Sequence, residues 1–274
     1  MPDVPTDDLD AVRRFVDSQE WYHTLDLAPG VVTRGFFDHR PLLPKLPWPG
    51  SLEGMRCLDI ATFDGFWAFE MERRGAQEVM AIDILDPLAW DWPAGSEPEV
   101  VEALERRKRG GAGFRFAKRM LGSSATRVEC SVYELDSGQV GRFDFVFIGS
   151  LLMHLRDPAG ALARVREICG GRLVILDNIH LPLTIAFPRL PLATLDAAGR
   201  PWWWKGNLAA LRRLTEAAGF EAIEAPRRVY IPTGKAEPAL RPTLRLLRHR
   251  VGREALFRTR VGDPHAVLAL RPTE

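Results

Sequence analysis

Two aspartates stand at the ends of two short apolar runs: Asp59 in Arg56–Ile60 and Asp83 directly after 78–82. Between the runs lie the turn Ala61-Thr62-Phe63-Asp64-Gly65 and a stretch with Phe66, Phe69, Glu70 and Arg73 at helical spacing, closed by Gly75. Strand, tight turn, helix and strand in that order, with an acid at each strand tip, make a nucleotide-binding βαβ unit. A dinucleotide site needs G-x-G-x-x-G so that backbone can approach a pyrophosphate. Here the turn has one glycine and a phenylalanine at its middle, which argues against NAD and FAD. Histidine titrates near neutrality and suits general-base work on an oxygen nucleophile. His154, His180 and His23 are the candidates, in that order.

The elements that must carry these groups follow from periodicity and punctuation. Ahead of the βαβ unit, Thr6 is placed to cap a helix through Leu9, Val12, Phe15 and Val16, with Asp7, Asp8 and Asp10 at its positive end. The aromatic segment 21–40 is too apolar to be disordered and reads as an ordered cover over the strand ends. A proline-rich run, 41–49, leads into the first strand. Beyond Asp83, a loop anchored by Trp90 and Trp92 precedes a helix at 100–110, whose Arg106, Arg107, Lys108 and Arg109 read as a solvated basic end. A helix at 114–121, a third strand at 126–132, a fourth at 142–148 and a fifth at 172–177 follow. The proline-bearing segment 181–201 reads as an irregular loop, and of the adjacent Trp202, Trp203 and Trp204 some must line a cleft or lid. Asn207 caps a helix at 208–218 ended by Gly219. Strands at 220–225 and 265–270 form a late hairpin.

An acid closing the first strand directly before the turn resembles motif I of the class I S-adenosylmethionine (SAM) methyltransferases, L-D-x-G-x-G-x-G. Ala61 and Phe63 replace two of its glycines, so this turn is expected to keep a negative φ at both. The resemblance implies an α/β fold: a Rossmann-like, seven-stranded class I sheet with helices on both faces. It also implies S-adenosyl-L-methionine as cofactor. The motif I positions Asp59, Ala61, Thr62, Phe63 and Gly65 would hold it. Asp83 and Ile84 would take the ribose, Val132 and Tyr133 would border adenine, and Gly149 and Ser150 would back the methionine. A narrower likeness joins W-x-H-x-x-x-L-x-P-G-x-x-T-x-G-x-F-D-x-R, FDFVFIGSLLMHLRDPAGALARV and WWWKGNLAALRRLTEAAGF. These segments, covering most of 21–225, resemble the group related to the tRNA wobble-uridine carboxymethyltransferase. That group carries a tyrosine just before the histidine after strand four; Met153 in that slot points to plain methyl transfer.

Asp177-Asn178 is similar to the metal-binding pair of some O-methyltransferases, but the acid expected at strand four is replaced by Gly149-Ser150. Magnesium wants several hard oxygen ligands, so no metal is expected. The insertion 227–261 is rich in arginine, including Arg241, Arg245, Arg248, Arg250, Arg253, Arg258 and Arg260, with Leu244, Leu247 and Val251 on one side. It could hold RNA phosphates, but a net charge of +1 over 274 residues favours a docked, solvated helix. Residues 1–50 form the helix and cover, and 51–274 the methyltransferase domain. With strand-length apolar runs, an acidic first segment and three dispersed cysteines, a cytoplasmic protein outside the membrane is expected. The leading functional expectation is methylation of a small-molecule acceptor, with oxygen as the receiving atom. A tRNA-modifying enzyme and a non-catalytic SAM-binding protein are the alternatives.

Overall fold

The computed structural model describes residues 6, 8–196 and 201–273, without the side chains at 245, 250 and 251. Asp7 and the side chains of Arg245, Arg250 and Val251, named above, therefore lie outside the described residues. Helix α1 (Leu9–Ser18) is capped by Asp8, whose carboxylate accepts from the amides of Asp10 and Ala11, and not by Thr6. Strands β1 (Trp21–His23) and β2 (Gly35–Phe37) pair in parallel, and a 3-10 helix over Arg40–Lys45 brings the chain to the sheet.

The nucleotide-binding unit folds as the periodicity demands: β3 (Arg56–Ile60), α2 (Phe66–Arg73) and β4 (Glu78–Asp83). Next come α3 (Pro98–Lys108), α4 (Ala112–Leu121), β5 (Thr126–Glu129), β6 (Phe143–Gly149), α5 (Pro158–Ile168) and β7 (Cys169–Asn178). The third strand is shorter than expected. Val132–Glu134 is a 3-10 turn, because Ser131 and Glu134 close a capping box there. The segment read as an irregular loop contains α6 (Leu181–Ala186) and β8 (Ala193–Leu195), which pairs with β9 (Trp204–Gly206). After α7 (Leu208–Ala217) the strand expected at 220–225 ends early as β10 (Phe220–Ala222), and β11 (Arg227–Ile231) takes up the start of the expected insertion. Pro226 sits at the break, where a residue without an N–H cannot continue a ladder. The arginine-rich insertion accordingly begins after Ile231. It contains α8 (Leu244–Arg248) and α9 (Arg250–Arg260) and leads to the long β12 (Asp263–Pro272).

The main sheet has eight strands in the order β10-β12-β7-β6-β3-β4-β5, with β11 beside β10 on the same edge of β12. The five strands from β7 to β5 are parallel and β12 is antiparallel to β7. Alternation along the buried strands sorts side chains into two cores. Cys57, Phe145 and Phe147 join Trp67, Phe114 and the N-terminal cover on one face. Leu58, Val146 and Ile148 join α5, Leu211 and Phe220 on the other. Strand order reverses between β3 and β6, so a cleft opens there outside the carboxyl ends of the strands.

Candidate active site

The turn after β3 departs from its expected conformation. Ala61 and Phe63 have φ values of 62° and 51°, left-handed where negative values were expected. Such angles cost L-residues about 1 kcal/mol or more each, and tertiary contacts must hold them. The Phe63 amide donates to Asp83 Oδ2 at 2.9 Å, and the Thr62 amide to the Ile82 carbonyl at 3.1 Å. The Phe63 ring lies 4.8 Å from that of Tyr22 and faces the Lys108 ammonium at 4.9 Å. Gly65, at φ 93°, is the one glycine the turn cannot replace. A Cβ there would come within 2.5 Å of the Phe69 ring and 2.8 Å of the Phe114 ring.

Asp83 is nearly buried, and its Oδ1 accepts from the Ile84 amide and from Lys108 Nζ. Lys108 is therefore not part of a solvated basic end. It is 3 % exposed, sits between the Phe63 and Trp90 rings, and also donates to the Ile84 carbonyl. Burial pulls its pKa down while Asp83 opposes the shift. Asp59 is wholly buried behind the turn, accepts from the Ala68 amide at 3.2 Å, and is pushed up to about 7 by desolvation. Asp64 Oδ2 accepts from the amides of Tyr22 and His23 at 2.6 and 3.0 Å. That carboxyl fastens the cover to the turn.

A cleft of about 1410 Å³ runs along the strand tips. Ala61, Phe63, Asp83, Ile84, Val132, Tyr133, Gly149 and Ser150 line it; Asp59, Thr62 and Gly65 lie behind its wall. Near Val132, the Tyr133 hydroxyl donates to Asp91 Oδ2 at 2.6 Å, and Trp203 Nε1 donates to the Asp91 carbonyl. Trp90, Trp92 and Trp202 also line the cleft, whereas Trp204 Nε1 donates to the Arg156 carbonyl. At the opposite end are Tyr22, Phe36, Phe37, Asn178 and His265.

The three expected histidines all border the cleft but do not converge. His154 Nδ1 donates to the Pro201 carbonyl beside Trp90. His180 caps α6, its Nδ1 accepting from the Leu183 amide at 3.2 Å. His23 is buried 5.1 Å from the His39 ring, and burial holds its pKa well below the ordinary histidine value. His265, unmarked in the sequence because it resembles any residue of a strand, lies 3.0 Å from Ser150 Oγ. Asp177 gives its oxygens to the amides of Leu151, Leu152 and Asn178. Among the described residues no group of three His, Cys, Asp or Glu side chains could hold a metal ion, and no helix is long and apolar enough to cross a membrane.

No protein-family model and no curated protein sequence matches the chain. Solved structures do. Burkholderia thailandensis 1,6-didemethyltoxoflavin-N1-methyltransferase, with bound 1,6-didemethyltoxoflavin and S-adenosylhomocysteine, is similar at 19% identity and a TM-score of 0.50. The match covers 81% of this chain and 72% of that one. Magnesium protoporphyrin IX methyltransferase from Synechocystis PCC 6803, with bound S-adenosylhomocysteine, is similar at 14% identity and a TM-score of 0.48, over 85% of this chain and 78% of that one. The chain has the α/β, Rossmann-like fold of SAM-dependent methyltransferases.

Proposed function

We propose that the protein transfers a methyl group from S-adenosyl-L-methionine to an oxygen of a small acceptor. The observation that carries this reading is the turn at 61–65. Its Phe63 amide is held by Asp83, and both residues border a cleft that continues past the tip of β6 to an aromatic-walled end. That geometry suits an adenosyl group, which brings a ribose but no phosphate.

Three donors already occupy Asp83: the amides of Phe63 and Ile84 and the Lys108 ammonium. A carboxylate has about four acceptor sites, so one remains for a ribose hydroxyl. Val132 and Tyr133 would border adenine, and Gly149 and Ser150 the methionine. When bound, the cofactor supplies a methyl group already activated on a sulfonium. The chain therefore has to align the acceptor and exclude water. Tyr22, Phe36 and Phe37 provide the apolar walls for that task.

The volume of the cleft exceeds the usual span of a one-ligand pocket, leaving room for an acceptor beside the cofactor. The Burkholderia enzyme carries 1,6-didemethyltoxoflavin alongside S-adenosylhomocysteine, and a small-molecule acceptor is carried over from it here. Several arginines of the insertion serve the chain itself, which supports a small acceptor over RNA. Arg258 pairs with Glu237, Arg253 donates to the Leu247 carbonyl, and Arg260 to the Leu240 carbonyl.

Calorimetric titration with SAM and with S-adenosylhomocysteine tests the reading. Micromolar binding that Asp83→Ala abolishes is the expected result. No binding of either nucleoside to the unaltered protein would overturn it.

A further inference from the structure

A hydrogen-bonded chain of side chains stands at the acceptor end of the cleft, built from residues far apart in sequence. His265, on β12, is buried but lines the cleft. Its Nδ1 is 3.1 Å from the Asp263 carbonyl oxygen and 3.5 Å from the Asp263 carboxylate. Both partners are acceptors, so Nδ1 carries the ring proton and Nε2 presents its lone pair. Ser150 Oγ, 3.0 Å from Nε2, is then the donor to it. The serine's own lone pairs remain to accept from a hydroxyl. Ser150 has φ 51°, a conformation held by its surroundings: its amide donates to the Leu176 carbonyl at 2.8 Å. Asp263 is steadied in turn by Asn178 Nδ2 at 2.7 Å.

Serine, histidine and aspartate in this order also perform acyl transfer, which requires an oxyanion hole. The amides that follow the serine are already engaged: those of Leu151 and Leu152 donate to Asp177 Oδ2 at 2.9 and 2.7 Å. The arrangement can take up a proton, but these two amides are not left for an oxyanion.

We propose that Ser150 and His265 form a proton relay that deprotonates an aromatic hydroxyl of the acceptor, with Asp263 as a positioning residue. The inference rests on the methyl-transfer reading given above. As the acceptor oxygen bonds to the methyl carbon, the carbon–sulfur bond breaks and its electron pair returns to sulfur. The acceptor's proton passes to Ser150 Oγ while the serine's own proton moves to His265 Nε2, and the Asp263 carboxylate faces the imidazolium so formed. An amine attacks with a lone pair it already has, whereas a hydroxyl must shed a proton, so a built-in relay selects O–H acceptors. The rings of Phe36 and Phe37 suit an aromatic one. The groups facing His265 are Asp263 on its own strand, Ser150 from the tip of β6, Asn178 across the register on β7, and Tyr22, His39 and Lys205 nearby. Burial lowers the histidine's pKa and Asp263 opposes the shift, leaving the ring neutral at pH 7 and able to accept.

The test uses the full chain, S-adenosylhomocysteine, and SAM with catechol, 4-nitrophenol and 7-hydroxycoumarin as acceptor probes. Nitrogen NMR of the histidine rings with S-adenosylhomocysteine present should find His265 as the neutral Nδ1–H tautomer, its Nε2 resonance shifted by Ser150→Ala. Transfer to a phenol should fall towards acid with the His265 pKa read by NMR. Ser150→Ala and His265→Gln should each slow transfer by about a hundredfold or more and lose that acid limb, and His265→Gln should keep S-adenosylhomocysteine affinity within about threefold. Finding the Nε2–H tautomer, or an Ser150→Ala rate within a few-fold with the limb retained, would overturn the relay. So would failure of every phenol probe in a protein that binds S-adenosylhomocysteine. Failure of the unaltered protein to bind S-adenosylhomocysteine would instead remove the methyl-transfer reading itself.

Discussion

At the end of the cleft proposed for the adenosyl group the backbone donors to Asp83 come from one stretch of chain, the amides of Phe63 and Ile84, and Lys108 reaches the same carboxylate from α3. At the end proposed for the acceptor the polar contacts join Ser150, Asn178, Asp263 and His265, with the serine and the histidine 115 positions apart. The first end is shaped by backbone held at unfavourable angles, the second by the docking of a cover and a final strand onto the sheet. Asp64 connects the two, because it belongs to the turn and accepts from the amides of the cover. Damage to the turn's backbone should therefore reach both ends, whereas loss of the Asp64 carboxylate alone should release only the cover.

Gly65→Ala should have the largest effect, because the new Cβ meets two buried rings at a left-handed φ. A loss of about 3 kcal/mol is expected in denaturant unfolding; a loss below about 1 kcal/mol would mean the turn is not locked. Asp64→Ala strands two amides near the cover and should cost about 2 kcal/mol. Its informative signature is asymmetry: hydrogen exchange should rise at Tyr22 and His23 while S-adenosylhomocysteine affinity changes only a few-fold. Equal losses at both ends would erase the distinction.

Acid dependence sharpens the same contrast. Burial raises Asp59 and Asp64 to about 7 and Asp177 to about 6. The folded state holds these protons more tightly than the unfolded chain. Their contribution is present in full below the unfolded value of 3.8 and is lost as pH rises through 6 to 7. The buried histidines, lowered in the fold, act oppositely: their contribution is lost as pH falls. Asp59→Asn keeps an acceptor for the Ala68 amide but cannot titrate. Its stability should decline less than the unaltered protein's between pH 5 and pH 8, by about 1–2 kcal/mol, in unfolding curves at each pH. The smallest change is expected of Ala61→Gly. Relief of a left-handed alanine should exceed the added freedom of the unfolded chain by about 0.5 kcal/mol, with unchanged cofactor affinity.

The βαβ unit and both strand-tip acids could be read from spacing, since short apolar runs, a helical stripe and a closing glycine are local signals. Lys108 could not. Its neighbours Arg106 and Arg107 look the same in sequence, and only the return of α3 over β4 buries one of the row against Asp83. The signs of φ at Ala61 and Phe63 were also hidden, because they are imposed by a hydrogen bond from twenty residues away and by packing on Tyr22. The histidines flanking strand tips stood out by position, while His265, inside an apolar strand, gave no local signal.

What the sequence determined by itself was the sheet's parallel centre and a βαβ unit with an acid at each strand tip, both fixed by short-range pattern. The tertiary structure decided which ionisable groups meet. His265 reaches Ser150 because β12 lies antiparallel to β7 in a register that sets it opposite Asn178, at the end of the sheet where the serine follows β6. Register between distant strands is settled by the burial of whole faces, and no stretch of residues around either partner records it.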